Sequence, residues 1–184
     1  MHPIRLLAKL SPKTINLNGT GHYRSVDALD WQDAAHALVG LSPEASAWAF
    51  YRFAGQDAQL CAVKNALMAY AVLFVKVGRY RMKYSTIEGL VNASIIEFTQ
   101  PLCGACKGSG VNEFKSVECP VCQGHGRMLM SLRKRCKIIG IDHRSFSARH
   151  DAVCKELLRL IAQWEAEIMA NVYQKMDCAQ ENCA

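Results

Sequence analysis

Two near-copies of one short pattern carry the chemistry of this chain: Cys103-Gly-Ala-Cys106-Lys-Gly-Ser-Gly110 and Cys119-Pro-Val-Cys122-Gln-Gly-His-Gly126. Each reads C-x-x-C-x-G-x-G, and twelve residues separate Cys106 from Cys119. Cysteines at i and i+3 place two sulfurs on one side of a tight turn. Four thiolates at this spacing can close a tetrahedral shell around one zinc ion. The glycines that follow permit positive φ, which lets the backbone wrap a metal without a Cβ in the way. A single C-x-x-C would fit a redox pair equally well; two copies, each followed by G-x-G, favour a metal. A pair of disulfides is the competing reading, disfavoured because Met1 to Leu7 lacks the apolar stretch and cleavage site of a secretory signal. Four cysteine ligands leave no open coordination position, so the zinc is expected to be structural.

Catalysis finds no partner residues. The six histidines are scattered, and no glutamate stands in an H-x-E or H-E-x-x-H setting beside the cysteines. No phosphate loop or dinucleotide fingerprint occurs, so the expectation is a protein that is not an enzyme. Cys61, Cys136 and Cys154 fall on helical faces and read as small core residues. His125 reads as facing solvent or a phosphate. Cys178 and Cys183 receive no role.

The elements that must position the cysteines are helical. At 184 residues, 51% of them apolar, the chain fits one domain or a domain with a small appendage. Residues 1–28 lack periodicity and read as an arm or irregular cap. An N-terminal helical region at 29–84 contains a short helix from Asp30, a second from Pro43 to about Phe53, and a longer one. Asp57 is the expected N-cap of that longer helix, whose face is Leu60, Lys64, Leu67, Ala71 and Phe74. It stops near Gly78. Arg79-Tyr-Arg-Met-Lys-Tyr84 is a basic and aromatic connector, a loop or a nucleic-acid contact. Ser85 and Glu88 match a capping box, followed by Ile87, Leu90, Val91, Ile95 and Phe98 at helical spacing. The longest unbroken apolar run, Ala66–Val75, is far short of a membrane span, so no membrane partner and a cytoplasmic location are expected.

Net charge is +6, and between Arg127 and Arg159 nine Lys and Arg face three Asp and Glu, a surplus of six. The rest of the chain is therefore neutral. Such concentration favours a polyanionic partner over a basic face that is merely solvated. Within it, Ser131 caps a helix with inner face Leu132, Cys136 and Ile139, and Gly140 ends that helix. Asp142 then caps a new helix at once, which is the order of a helix-turn-helix. Its solvent side would show His143, Arg144, Ser147 and Ala148, with Arg149 at a position where an apolar residue is more usual, and Arg133, Arg135 and Lys137 on the preceding helix. These are the candidate contacts to double-stranded DNA, and Arg144 could reach a guanine edge. An ordinary helical hairpin with solvated charges is the plainer alternative. A long helix from Asp151 buries Val153, Leu157, Leu160, Ile161, Trp164 and Ile168, closing the fold or, alternatively, pairing two chains through Trp164. Residues 176–184 read as a mobile tail. The whole is expected to be mainly α, with a helix-turn-helix domain at 85–175. Inserted in it at 101–127 is the four-cysteine zinc loop, holding at most short β pieces.

The paired C-x-x-C-x-G-x-G motif, the basic segment Arg133–His150 behind it and the helical ending resemble the late-gene antitermination Q proteins of lambdoid bacteriophages. The resemblance spans roughly residues 85–170. It implies a protein that binds DNA at a phage late promoter, engages host RNA polymerase and travels with it past pauses and terminators in the bacterial cytoplasm. By motif it implies zinc on Cys103, Cys106, Cys119 and Cys122, and DNA facing His143, Arg144 and Ser147. A zinc-containing repressor or activator is the second reading. The same cysteine unit occurs in Hsp40 chaperones, but in four copies within a strand-rich module.

Overall fold

The structure, a computed structural model, describes residues 38–100, 103–111, 117–122, 124, 126–128 and 130–181, the side chains up to 175. The arm at 1–28, the short helix expected from Asp30, His125 and Cys183 lie outside the described residues, as does the side chain of Cys178. Five helices account for most of what remains: α1 (Pro43–Arg52), α2 (Leu60–Val77), α3 (Tyr84–Phe98), α4 (Leu132–Ile139) and α5 (Ala148–Glu181). Among the described residues there is no strand, only an isolated antiparallel bridge between Val111 and Glu118. The mainly helical reading with a cysteine loop between two helices is what the structure shows.

Two compact units divide the chain, one made of the part up to Ala66 together with the part from Ala162, the other of Leu67–Ile161. In the first, α1 starts where the sequence expects, with Pro43 at N1 and the Ser42 hydroxyl accepting from the Ala45 amide. Ser42 is fixed from the other side as well. Its amide and hydroxyl donate to the two carboxylate oxygens of Glu167 on α5, at 2.7 and 3.0 Å. Trp48 and Ala49 of α1 are fully buried.

α2 departs from expectation at its start and its face. Asp57 opens a single 3-10 turn, Asp57–Gln59, with no side-chain cap, and the α-helix begins at Leu60. The buried stripe is Val63, Leu67, Ala71 and Val75, spaced at i+4, so Leu60, Lys64 and Phe74 are only half-buried. Together, Asp57–Val77 form a 21-residue stretch with a window of mean hydropathy 1.7, long and apolar enough by length and composition to cross a membrane. Counting unbroken apolar runs misses this because Lys64, Asn65 and Lys76 interrupt the run without much lowering its average. Cys61 on this helix is exposed, contrary to its expected core role, whereas Cys136 and Cys154 are buried.

In the second unit α3 packs on α4. The capping box at Ser85 and Glu88 does not form: the cap lies two residues earlier, at Lys83, whose carbonyl accepts from Thr86 and Ile87 at 3.0 and 3.1 Å. Ile87, Leu90, Val91 and Ile95 are buried as expected, but so are Gly89, Ser94 and Glu97. Gly89 is where the two helices touch. A Cβ there would lie 2.6 Å from both Cα and O of Ile139, which are backbone atoms that cannot swing aside. Gly89→Ala should therefore separate α3 from α4 and destabilise the protein by about 1–3 kcal/mol, the usual range for overpacking, despite alanine's better helix propensity. Urea denaturation reads this directly.

α4 is capped as the sequence indicates. Ser131 accepts from the Lys134 amide, and Gly140 adopts φ +78, which turns the Ile141 amide back to donate to the Cys136 carbonyl at 3.1 Å. Cys136 and Ile139 are buried; Leu132, expected beside them, is 38% exposed. The next helix does not begin at Asp142. Asp142 caps only one 3-10 turn, His143–Ser145, after which Phe146 is extended and α5 starts at Ala148. The reason is a competing cap five residues on. Ser147 donates its amide to Nδ1 of His150 at 3.0 Å, and its hydroxyl lies 2.9 Å from the same nitrogen, which is the half of a capping box in which the N3 side chain accepts from the cap amide. The order helix, glycine turn, helix is kept, with a longer turn. α5 then runs unbroken to Glu181, so 176–181 continue the helix where a tail was expected.

Candidate metal centre and adjoining basic surface

Four sulfurs converge in the loop between α3 and α4. Cys103, Cys106, Cys119 and Cys122 are all buried, their sulfurs lie within 4.8 Å of one another, and Cys106 and Cys122 approach to 3.6 Å. A tetrahedron with metal–sulfur bonds of about 2.3 Å has edges of about 3.8 Å, so one ion fits with small adjustments. No disulfide joins them. Apart from these cysteines the described part of the loop has almost no interior. Its apolar residues Val111, Val117 and Val121 are 41%, 53% and 55% exposed.

The backbone explains the repeated G-x-G. The amide of Cys103 donates to the carbonyl of Gly126 and the amide of Cys119 donates to that of Gly110, both at 2.8 Å. The first cysteine of each copy thus hangs on the last glycine of a copy, one bond crossing the loop in each direction. Packing links the copies as well. A Cβ on Gly110 would strike the carbonyl oxygen of Gly124, and one on Gly126 would strike that of Gly108, both well inside the 3.0 Å that real Cβ atoms respect. All four glycines also have φ between +69 and +95. The motif alone predicts the positive φ but not the interlock, whose only trace in sequence is that both glycines recur in both copies.

Electrostatics suit a metal. Burial opposes ionisation of Cys106, but the amides of Gly110 and Gly108 outweigh it and bring the thiol down from 9.0 to about 7. Burial and the neighbouring sulfurs push Cys122 up to about 11. One thiolate forms readily and the cluster resists further negative charge, which a divalent cation relieves. Cys154, outside the cluster, is pushed up to about 11 by burial, which disfavours its thiolate.

Behind the loop, the candidate DNA contacts divide into two groups. His143, Arg144, Ser147, Ala148 and Arg149 are exposed, as are Arg133, Lys134 and Lys137 on α4. Their backbone is not one recognition helix: His143 and Arg144 sit in the 3-10 turn, Ser147 is the cap, and Ala148 and Arg149 form the first turn of α5. Arg135 belongs to the fold. Its Nε and Nη2 donate to the Glu97 carboxylate at 3.0 and 2.6 Å, and Nη1 lies 3.6 Å from Asp151. Lys155 and Arg159 are paired along α5 with Asp151 and Glu156, and Arg127 lies over the Phe98 ring with 4.9 Å to its centroid. Arg133, Lys134, Lys137, Arg144 and Arg149 form no ion pair with any described residue.

His150 adds a pH dependence. Its Nδ1 accepts the Ser147 amide and so must carry a lone pair, and burial holds its pKa below the usual 6.5. The unfolded chain therefore takes up a proton that the folded chain resists. The contribution to stability is whole above about pH 6.5 and is lost as pH falls below it. Urea midpoints should drop between about pH 7 and pH 5, and His150→Gln, which keeps an acceptor at N3, should flatten that drop.

Comparisons with models of known protein families, with curated proteins and with solved structures return no match for this chain.

Proposed function

We propose that this protein is a DNA-binding transcription factor whose loop is held by one structural zinc ion. Carrying over the resemblance of its motif order to the phage Q proteins, it acts as an antitermination factor. It binds double-stranded DNA at a late promoter in the host cytoplasm and alters host RNA polymerase so that it reads through pauses and terminators. The observation that carries DNA binding is the sorting of charge. Within 133–149, Arg135 is spent on the fold, while Arg133, Lys134, Lys137, Arg144 and Arg149 stay exposed and unpaired among the described residues, along a helix, a turn and a helix start. Exposed cations grouped on a helix-turn-helix segment suit a phosphate backbone. Zinc is the ion of choice because four soft thiolates in a closed shell favour it. The role is non-catalytic, since such a shell offers no site to a substrate.

Arg144 is the residue placed best to read a base, being exposed in the turn with its backbone fixed by the Asp142 carboxylate at 2.8 Å. Arg144→Ala should cost about 1–3 kcal/mol of binding and relax sequence choice. An equal loss on every duplex would make it a phosphate contact instead. The function itself is tested by transcription with purified bacterial polymerase on a template bearing the protein's binding site upstream of a terminator. Antitermination predicts more run-through transcript when the protein is present. Altered initiation with unchanged run-through would make it a repressor or activator.

A further inference from the structure

We infer that the end of α2 and the connector to α3 form a second nucleic-acid surface, one that takes a single strand. From Ala58 to Ile87 the chain has no acidic residue and five basic ones, Lys64, Lys76, Arg79, Arg81 and Lys83. The last four are exposed, and none is in an ion pair with a described residue. In the connector they alternate with the other residues. Arg79, Arg81 and Lys83 face solvent while Tyr80 and Met82 are half-buried, with Tyr80 edge-on to Phe74 at 6.1 Å. Tyr84 follows with 67% of its surface exposed.

The backbone supplies a second, independent observation. The amide of Tyr80 donates to the Val75 carbonyl at 2.9 Å and that of Arg79 to the Lys76 carbonyl at 3.1 Å, the bond pair of a Schellman ending. Its left-handed position, which favours glycine, is held by Arg79 at φ +50. Gly78 stands next to it but has a different duty: a Cβ there would lie 2.9 Å from the Tyr80 ring. The chain thus keeps an arginine in a strained conformation, exposed to solvent, with a glycine one residue away. Backbone strain of this kind clusters at positions that hold a ligand.

The ligand's chemistry follows from the combination. A row of cations meets consecutive phosphates, and an exposed ring can stack on a base only if that base is not already stacked in a duplex. This surface is distinct from Arg133–Arg149 and does not rest on the duplex reading. The exposed Val72, Leu73 and Val77 nearby on α2 would instead be engaged if the patch met an anionic membrane.

Fluorescence anisotropy of the full-length protein with a labelled oligouridine strand tests this. The triple variant Arg81→Ala, Lys83→Ala, Tyr84→Ala should weaken binding by about tenfold or more, while Tyr84→Phe retains it. Arg79→Gly should raise the melting temperature and lower the affinity together, a pairing that a merely structural arginine would not produce. Arg133→Ala with Arg149→Ala should leave single-strand binding in place. The inference is overturned if the triple variant binds the strand as the parent does. It is equally overturned if the parent ignores the strand but binds phosphatidylserine–phosphatidylcholine vesicles in a manner lost with Leu73→Ser and Val77→Ser.

Discussion

Cys106→Ser should abolish stoichiometric metal binding and open the loop between α3 and α4 to protease, while α3 and α4 themselves stay paired. The described part of the loop has little else to hold it. The four cysteines are its buried core, and Val111, Val117 and Val121 point largely to water. A segment of this length loses roughly 1–2 kcal/mol of backbone entropy per ordered residue, and two cross-loop hydrogen bonds of about 1 kcal/mol each cannot offset that. A structural zinc supplies on the order of 10 kcal/mol in small modules. Outside the loop, the pairing of Arg135 with Glu97 and the Gly89–Ile139 approach are untouched by the change. Metal analysis after chelator dialysis, with limited proteolysis mapped by mass spectrometry, reads both halves of the result. A variant that keeps its zinc would remove Cys106 from the ligand set.

Glu97→Ala is expected to be the most damaging single change outside the loop, at about 3–5 kcal/mol. Glu97 is only 7% exposed, and its two oxygens take three close contacts from Arg135. Removing the acid leaves a largely buried guanidinium with only Asp151 at 3.6 Å. Much of the loss is desolvation and not the worth of the pair. The paired replacement Glu97→Leu with Arg135→Met should therefore recover most of the stability. Chemical denaturation of both variants measures the difference. If the double variant is as unstable as the single one, the pair is itself a source of stability and the desolvation argument fails. A double variant that lacks Arg135 and retains the fold also separates that residue's structural duty from any DNA contact.

Features set by neighbours in sequence can be read from the chain alone. The C-x-x-C-x-G-x-G copies mark all four cysteines that converge, since the spacing sets two sulfurs per turn. Pro43, Ser131 and Gly140 mark helix ends because helix starts and caps depend on residues no more than four apart. Features that depend on partners far along the chain cannot be read this way. Arg135 has the pattern of a surface base, and only the fold brings Glu97, 38 residues earlier, within hydrogen-bonding distance. Gly89 has the pattern of a tolerated flaw in a helix, and only the fold lays the α4 backbone against it. The second helix is expected at Asp142 because Asp142 does cap a turn. Ser147 with His150 offers a second start, and packing of Phe146 against His150 (5.6 Å between rings) accompanies it. Two caps in five residues give two answers by local rules, and the long helix takes the second of them.

The four sulfurs brought together by two interlocked copies of a short motif are proposed to form one closed metal site. X-ray absorption at the zinc edge of the purified full-length chain examines that shell atom by atom. One zinc per chain is expected, with four sulfur neighbours at about 2.3 Å and no oxygen or nitrogen in the shell. A shell with an oxygen or nitrogen ligand, fewer than four sulfurs, or a protein that purifies with disulfides and no zinc would refute the closed four-thiolate site.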